Sequence, residues 1–500
     1  MKTIVTSAQM RDMERIYMEK CGVSSDGLML RAARAMTDEL CLRIGGAAGK
    51  TCVFACGNGG NGGDGYAAAR IFAENGGRSV VLDVMPDLPR RPDAARMRRQ
   101  ALEHPGVWQG SDFENMPRPA AWVDCVFGIG LSRAPSDALA ALFARIESDR
   151  RAGSLVLSCD IPSGLSADTG DVPGASVHAD CTVTFECAKP GHYLGHGMDL
   201  CGDIVVRSIG IGPEFYPAEP LRLVGKADIA PTCEKRPHFC HKGTFGHLLI
   251  VAGSFGMAGA AALAASAALR SGTGLVSIAC PSSIVPILQT LAPCAMCIPL
   301  PEENGAISSE ACPILKEALR GKTAAAIGPG LSAKCAPDAV RCVLESGLSC
   351  VLDADALNLI AKNASLRPYL HRKCLITPHP GEAARLAGID MREPLSAAEA
   401  LRSLGCTVLY KGATTVVCGD SGRYISKSGT PGMARGGSGD ILTGIAGALL
   451  ARGFDADTAA RTASEAHGLA GSLAAGKYGE TGMTAQDMLE FLPEVWKNAR

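Results

Sequence analysis

The chain has 500 residues, which is too long for one hydrophobic core and predicts two to four domains. Its 49 basic and 50 acidic side chains leave a net charge of -1, which offers no electrostatic footprint for nucleic acid or an anionic membrane. With 47% hydrophobic residues and no apolar run long enough to cross a bilayer, the composition favours a globular protein with small-molecule partners. The early charged residues and the 21 irregularly spaced cysteines predict a cytoplasmic protein with reduced thiols.

The first half of the chain alternates short β-branched runs with Ala-rich helical patterns, which is typical of a parallel sheet covered by helices. Ligands bind beyond the carboxyl ends of such strands, so we expect function in the loops that follow them. The predicted strands are TCVFAC (51–56), SVVLDV (79–84), AAWVDCVF (120–127), SLVLSCD (154–160) and CTVTFE (181–186), with helices at 66–74 and 137–149 among them.

The segment GNGGNGGDG (57–65) follows the first of these strands and is nearly bare backbone. We expect the next helix to begin near Asp64, so that exposed N–H groups and the helix dipole favour an anion such as a phosphate. A match of three of its glycines to the dinucleotide fingerprint is weak by itself. Asn61 and Asp64 either cap the helix and shape the turn or contribute oxygen atoms to a cation site.

Two further loops carry aspartates at strand ends, Asp124 in DCVFGIGL and Asp160 in DIPSG, and the loop GHYLGHG comes later. In this order, with the Gly-rich segment, they resemble the N-terminal epimerase domain of bifunctional NAD(P)H-hydrate repair enzymes over about residues 8–212. The resemblance implies that Asp160 is the acid/base residue. It also implies that Asn61, Asp124 and Ser163 hold a potassium ion.

The resemblance further implies that the Gly-rich loop and the G-I-G-L loop bind the hydrated nicotinamide nucleotide. The family usually shows two adjacent asparagines, whereas here Gly60 precedes Asn61. The expected substrate contacts are Gly60, Asn61, Gly62, Gly63, Asp64, Gly128, Ile129, Gly130, Leu131, Ser132, Arg133, Ala134 and Asp160.

The alternation is lost around 213–240, where prolines gather, and we place a domain boundary there. The predicted organisation is an epimerase domain at 1–215, a linker at 216–235 and a dehydratase domain at 236–500. Zinc-ligand residue types occur in and near this linker, but their spacing matches no known closed site, and we favour a polar linker. They are Cys233, His238, Cys240 and His241. The pair Cys294 and Cys297 has no matching second pair, which disfavours a redox or metal role.

The second half repeats the strand-to-helix rhythm from HLLIVAG, which begins at 247, and predicts a second α/β domain. Its segment GGSGD (436–440) feeds a helix whose first turn carries Asp440. Bare N–H groups beside a carboxylate suit phosphoryl transfer, with the aspartate accepting a proton from the attacking hydroxyl. Because an ordinary Asp has a pKa near 3.9, we expect placement rather than a raised pKa to make Asp440 effective.

GGSGD resembles the ribokinase-like superfamily when it is combined with four strand-end segments. These are IGPG (327–330), LDADAL (352–357), TPHPGE (377–382) and YKGATT (410–415). Within that superfamily the sequence over about 236–500 is similar to the ADP/ATP-dependent NAD(P)H-hydrate dehydratase.

By that resemblance Ala260, Gly330, His379 and Asp440 contact the hydrated nucleotide. The adenine nucleotide, with Mg²⁺, would be bound by Lys411, Gly412, Ala413, Thr414, Thr415 and Gly439. Two residues have more than one possible role. His379 could instead be a turn residue, and Glu382 could either start a helix or bind magnesium.

The expected protein is α/β with two domains, one a Rossmann-like doubly wound sheet and one ribokinase-like. The first would epimerise the R and S forms of hydrated NADH and NADPH. The second would dehydrate the S form at the expense of ADP or ATP through a phosphorylated intermediate. Its partners would be small molecules, not nucleic acid or membrane, and we expect a homo-oligomer. The alternatives are a ribokinase-type kinase of a small alcohol or vitamin precursor and a non-catalytic nucleotide-binding regulatory protein.

Overall fold

The computed structural model describes residues 2–131, 133–388 and 393–499. Contacts between residues divide the chain into two compact units, one of residues 2–221 and one from Arg222 onward. Both units alternate strands and helices, which confirms the expected α/β class.

The N-terminal unit contains a sheet of seven strands, all parallel, in the order β4-β3-β2-β5-β6-β7-β8. Chain order reverses between β2 and β5, so a ligand crevice is expected beyond their carboxyl ends. The elements are β1 Lys2–Ile4, α1 Ser7–Cys21, α2 Ser25–Ile44, β2 Thr51–Cys56, α3 Gly60–Glu74, β3 Arg78–Asp83, α4 Pro92–Leu102, β4 Val107–Gly110, β5 Ala121–Cys125, α5 Asp137–Arg151, β6 Leu155–Cys159, β7 Cys181–Phe185, α6 Gly197–Leu200 and β8 Asp203–Arg207.

Helix α3 begins at Gly60 and not near Asp64, which corrects the prediction from sequence. Glycine is a poor helix former, but here the packing requires its missing side chain. A Cβ at Gly62 would lie 2.0 Å from the carbonyl oxygen of Gly57, and one at Gly63 would lie 2.6 Å from the Met29 side chain. The glycines therefore let the helix start directly against the end of β2 and against α2.

The C-terminal unit has its strands in the order β9-β20-β19-β18-β17-β16-β15-β10-β11-β12. In this sheet β12, β11, β10, β15, β16, β17 and β18 run parallel, and β19 and β20 add antiparallel strands. Strands β13 and β14 form a separate antiparallel pair. The elements are β9 Leu221–Leu223, β10 His247–Val251, α7 Ala258–Arg270, β11 Leu275–Pro281, α8 Val285–Leu291, β12 Met296–Leu300, β13 Glu302–Glu303, β14 Ala306–Ile307, α9 Cys312–Leu319, β15 Ala324–Ile327, α10 Pro337–Glu345, β16 Ser349–Leu352, α11 Asp355–Lys362, β17 Cys374–Ile376, α12 Pro380–Ala387, α13 Pro394–Leu401, β18 Thr407–Tyr410, β19 Thr415–Gly419, β20 Gly422–Ser426, α14 Ser438–Ala451, α15 Ala456–Tyr478 and α16 Ala485–Asn498.

Helices α7 and α14 pack against each other at close range. A Cβ at Gly444 would lie 2.2 Å from the carbonyl oxygen of Ala264 and 2.8 Å from the Cβ of Ala267. Because the residues at this contact are small, the two helices lie so close together that a larger side chain at position 444 would not fit. The approach positions the first turn of α14, where Asp440 lies, relative to the first turn of α7, where Ala260 lies.

All 21 cysteines are free thiols, including Cys294 and Cys297. Among the described residues, the cysteines and histidines of the 233–241 segment do not form a group of three or more side chains close enough to bind one metal ion. Across those same described residues, no helix has both the length and the apolar character needed to cross a membrane.

Candidate active sites

Asp160 directly follows β6 in the N-terminal unit and is buried. Its backbone has a φ of 65°, an uncommon value for a residue with a side chain. Lys189 Nζ donates to its Oδ1 at 2.5 Å, and Thr184 Oγ1 donates to the same oxygen at 2.8 Å. His192 Nε2 contacts the Asp160 carbonyl oxygen at 2.8 Å. These contacts hold both the side chain and the backbone of the aspartate.

A buried ammonium group determines the ionisation of Asp160. Burial by itself would raise the pKa of this carboxyl, but the charge and hydrogen bond of Lys189 bring the pKa below its ordinary value. Lys189 is only 1% exposed. Burial and the Lys189 charge lower the pKa of His192 to about 4, so its imidazole is neutral at pH 7. The site therefore contains an ionised carboxylate paired with one cation.

Two further carboxyl groups lie near Asp160. Burial raises the pKa of Asp64 well above its ordinary value, and the negative charges of Asp160 and Glu14 raise it further. Burial and Asp160 likewise raise the pKa of Glu14. The arrangement favours a protonated carboxyl next to an ionised one, which is a pattern that assigns acid and base roles.

A cavity of about 1040 Å³ opens beside these groups. It is lined by most of the substrate contacts expected from sequence: Gly60, Asn61, Asp64, Gly128, Ile129, Gly130, Leu131, Arg133, Ala134 and Asp160. Arg11 and Arg91 add positive charge to its wall. Gly62 and Gly63 are buried within α3, and their close packing explains the missing side chains. Ser132 lies outside the described residues.

Asn61, Asp124 and Ser163, the residues expected to hold potassium, meet around the backbone of Phe127. Ser163 Oγ donates to Asp124 Oδ1 at 2.5 Å and accepts from the Phe127 N–H at 2.8 Å. Asn61 Nδ2 donates to the carbonyl oxygens of Phe127 and Cys159 at 2.8 Å and 2.7 Å. The structure thus brings the three side chains together.

The helices that follow the two Gly-rich turns begin without side-chain caps. Gly59 precedes α3 and Gly437 precedes α14, and neither start has a side-chain hydrogen bond to its first amides. By contrast, Thr6 caps α1 and Asp455 caps α15. The first-turn amides of α3 and α14 are therefore available to an anion, which the helix dipole also favours.

Asp440 lies in the first turn of α14 in the C-terminal unit. Burial, followed by the charge of Asp353, raises its pKa to about 7. This corrects the expectation of an ordinary pKa. The sequence reasoning considered the aspartate alone, whereas the structure places a second buried carboxylate beside it. Asp440 is consequently a base that titrates near neutral pH.

Asp353 follows β16 and is 1% exposed. Lys411 Nζ donates to its Oδ1 at 2.6 Å, and Thr443 Oγ1 donates to its Oδ2 at 2.7 Å. Lys411 Nζ also lies 3.8 Å from Glu382 Oε2. Burial would lower the pKa of Lys411, but Asp353 and Glu382 raise it above its ordinary value. One cation is thus shared among several carboxylates.

Three other predicted residues, Ala260, Gly330 and Gly439, lie at strand and helix ends of this unit. A Cβ at Gly330 would lie 3.0 Å from the Cβ of Ala260, so these two residues are neighbours. A Cβ at Gly439 would lie 3.6 Å from Lys411 Nζ and 3.8 Å from Asp353 Oδ2. Gly439 therefore approaches the same ion pair as Asp440.

His379 is the N-cap residue of α12 and accepts a hydrogen bond from the Gly381 N–H at 3.0 Å. Glu382 Oε2 accepts from the His379 N–H at 2.9 Å, so Glu382 does help to start the helix. The Lys411 N–H donates to the carbonyl oxygen of Pro378 at 2.8 Å and joins the two loops. The predicted nucleotide contacts Gly412, Ala413 and Thr414 follow in that loop, and Thr415 begins β19.

Residues outside the sequence-based selection complete both sites, namely Lys189, Thr184, His192, Glu14, Asp353 and Thr443. Asp353 stands at a strand end within LDADAL, and this position was the signal available for it. Lys189 stands in AKPGHYLGHG, where a lysine at a loop start gives no indication of burial.

Two family models match the chain. One, described as YjeF-related protein N-terminus, matches residues 25–191. The other, described as NAD(P)H-hydrate dehydratase, matches residues 248–494. The two matches fall in different structural units.

Similar proteins match along nearly the whole chain. The bifunctional NAD(P)H-hydrate repair enzyme Nnr of Coxiella burnetii is 35% identical over 512 residues, which cover 98% of this chain and 99% of that protein. The protein of the same name from Escherichia coli is 34% identical over 475 residues, covering 91% and 89%. A solved ADP/ATP-dependent NAD(P)H-hydrate dehydratase from Bacillus subtilis is 29% identical, covers 56% of this chain and 99% of its own, and superposes with a TM-score of 0.48.

Proposed function

Because this chain belongs to the family of bifunctional NAD(P)H-hydrate repair enzymes, we propose that each structural unit performs one of the two reactions. The N-terminal unit interconverts the R and S forms of hydrated NADH and NADPH. The C-terminal unit dehydrates the S form at the expense of ADP or ATP. The observation that carries the proposal is that each unit places an aspartate largely removed from water beside an uncapped helix start.

In the dehydration, the ring hydroxyl of the hydrate attacks the terminal phosphoryl group of the nucleotide. Its proton passes to Asp440, the hydroxyl oxygen bonds to phosphorus, and the nucleotide leaves one phosphate shorter. The first amides of α14 face the phosphate and stabilise the charge that develops. A pKa of about 7 suits Asp440 to this role, because a general base is most effective when its pKa is near the working pH.

The phosphate ester then eliminates. The carbon–oxygen bond breaks and phosphate departs with the electron pair. The neighbouring ring carbon then loses a proton to solvent, and the electrons of that C–H bond restore the double bond. Phosphate is a much better leaving group than hydroxide, which is why a kinase-like site can drive a dehydration.

In the epimerisation, Asp160 transfers the proton at the substrate. Its lowered pKa keeps it ionised, while the raised pKa values of Asp64 and Glu14 favour their protonated forms across the cavity. The cavity of about 1040 Å³ accommodates a dinucleotide-sized ligand in part, with phosphate at the start of α3.

A potassium ion fits the donor set beside Phe127. Asn61 uses its Nδ2 for hydrogen bonds to carbonyl oxygens, so its Oδ1 is left for a cation. With Asp124 and Ser163 it supplies only oxygen atoms, which hard cations prefer. Potassium there would order the loops that bind phosphate.

Magnesium fits the carboxylates of the C-terminal site in the same way. Asp353 and Glu382 place oxygen donors around Lys411, and Mg²⁺ typically combines one or two carboxylates with nucleotide phosphates. Its chemistry would be to neutralise charge on the phosphates. Homo-oligomer formation and cytoplasmic location stay predictions.

The direct test is to prepare NADPH hydrate, add the protein with ADP or ATP, and follow recovery of the dihydronicotinamide absorbance while the two epimers are separated by chromatography. We expect both epimers to be consumed and NADPH to accumulate. A stable phosphorylated product would instead favour a kinase of a small alcohol. Tight binding of the hydrate without turnover would favour a regulatory protein.

A further inference from the structure

A cluster of soft ligands lies at the amino ends of β16 and β17, away from the carboxyl ends where Asp353 and the 377–382 loop are found. Cys350 and Cys374 are direct partners in the register of these two parallel strands. Their Sγ atoms are 3.6 Å apart, and both residues are fully buried.

His371 completes the cluster from the turn before β17. One of its ring nitrogens and the two sulfur atoms all lie within 4.8 Å of one another. Its Nε2 is buried and has no hydrogen-bond partner among the residues that the structure describes. Within residues 2–131, 133–388 and 393–499 this is the one group of three such ligands. Two thiols and an imidazole gathered within this distance form a ligand set of the kind that binds zinc.

The spacing of the sulfur atoms agrees with tetrahedral coordination. Two thiolates bound to zinc at about 2.3 Å lie about 3.8 Å apart when the angle between them is tetrahedral. The observed 3.6 Å separation needs only a small adjustment to reach that value.

We propose that Cys350, His371 and Cys374 bind one soft divalent metal ion, with Zn²⁺ as the best match, and leave its fourth position to water. The site is structural. It links the amino ends of two strands whose opposite ends lead to Asp353 and to the loop of His379. The proposal does not depend on the proposed function, since no ligand is a residue of the reaction site.

The experiment uses the full-length protein, stripped of metal with a chelator and kept reduced with a non-thiol reductant. It is titrated with Co²⁺, which replaces zinc and reports thiolate ligation through a charge-transfer absorption band. We expect one equivalent to bind with this band in the wild type, and that equivalent to be lost in Cys374→Ala and in His371→Ala. Cys418→Ala is the matched control, because Cys418 is a buried thiol on β19 of the same sheet, and it should retain the band.

A second measurement guards against variants that fail to fold. Zn²⁺ should raise the thermal midpoint of the wild type and of Cys418→Ala, but not that of Cys374→Ala, because only a folded-state site stabilises in this way. The proposal is overturned if wild type and Cys374→Ala bind the same number of Co²⁺ equivalents with the same band. It is also overturned if the reduced wild type takes up no metal, and peptide mapping of the unreduced protein then tests for a Cys350–Cys374 disulfide as the reason for their contact.

Discussion

The two candidate active sites use the same residue type with opposite ionisation behaviour. Asp160 and Asp440 are both largely removed from water, and each stands near a helix that begins at a Gly-rich turn. The pKa of Asp160 falls below its ordinary value, whereas that of Asp440 rises to about 7. Burial acts in the same direction on both, so the difference comes from their charged neighbours.

The two sites differ in how closely a lysine is paired with the reacting aspartate. Lys189 contacts Asp160 directly at 2.5 Å. Lys411 lies closest to Asp353, and its charge only partly offsets the effect of that carboxylate on Asp440. A nearby lysine therefore lowers the pKa of an aspartate when the two are paired directly. It has a smaller effect when the lysine is already paired with a second carboxylate.

Removing the carboxylate of Asp440 should have the largest effect. Asp440→Asn keeps the size of the side chain but cannot accept the hydroxyl proton, so dehydration should fall by about 10²–10⁴-fold. Epimer exchange should be unchanged, because it belongs to the other unit. Recovery of NADPH absorbance and chromatography of the epimers measure the two rates. Asp420→Asn, at an exposed aspartate of the same unit, is the control; equal rates in the two variants would refute the catalytic role.

Lys189→Met should break the electrostatic support of Asp160. Losing one partner of a buried ion pair typically costs about 3–5 kcal/mol in the free energy of unfolding. With burial no longer opposed, the pKa of Asp160 should rise, and the acidic limb of epimer exchange should move to higher pH. Chemical denaturation and a pH–rate profile measure these changes. Lys20→Met replaces an exposed lysine and should alter neither; an unmoved acidic limb would show that Lys189 does not set the ionisation of Asp160.

The raised pKa of Asp440 should also cost stability. The carboxyl of Asp440 has a pKa of about 7 in the folded protein, against an ordinary 3.8. Its contribution to the free energy of unfolding is therefore fully present below pH 4 and is lost as the pH rises through 7. The upper bound is about 4 kcal/mol, which we reduce to about 2 kcal/mol because the group is partly exposed. Asp440→Asn should therefore unfold with a free energy about 2 kcal/mol higher than wild type at pH 8 and with an equal one at pH 4. Denaturation with urea at both pH values measures it, and equal stability at pH 8 would contradict the raised pKa.

The two pH profiles should also separate. As the pH falls below 7, Asp440 takes up a proton, so dehydration should drop about tenfold for each pH unit. Epimer exchange should stay level over the same range, since the pKa of Asp160 lies below its ordinary value. Both rates are measured on one sample from pH 5 to pH 8. A common acidic limb would mean that the two aspartates do not differ as the structure indicates.

The alternation of strands and helices was sufficient to predict the α/β class, because buried parallel strands produce continuous apolar runs. Helix boundaries were less predictable. Local preference placed the start of α3 near Asp64, since glycines disfavour helix. The observed start at Gly60 depends on contacts with Gly57 and Met29, which are tertiary and cannot be read from the segment itself.

The candidate sites show a similar limit. Asp160 and Asp440 could be located because a carboxylate after a strand or a Gly-rich turn stands out in the sequence. Their protonation states could not be predicted from the sequence. That of Asp160 depends on Lys189, which is 29 residues away, and that of Asp440 depends on Asp353, which is also far away in sequence. Cys350 and Cys374 became a candidate site only when the register of two strands placed them side by side.

The contact of Gly444 with Ala264 bears on how the chain tolerates substitution. Any larger side chain at 444 would push α14 outward, and the turn at its beginning would move with it. A residue with no chemical part in the reaction would then be as intolerant of mutation as the aspartate one helical turn away. In a deep mutational survey, position 444 should accordingly score as essential for dehydration and neutral for epimer exchange.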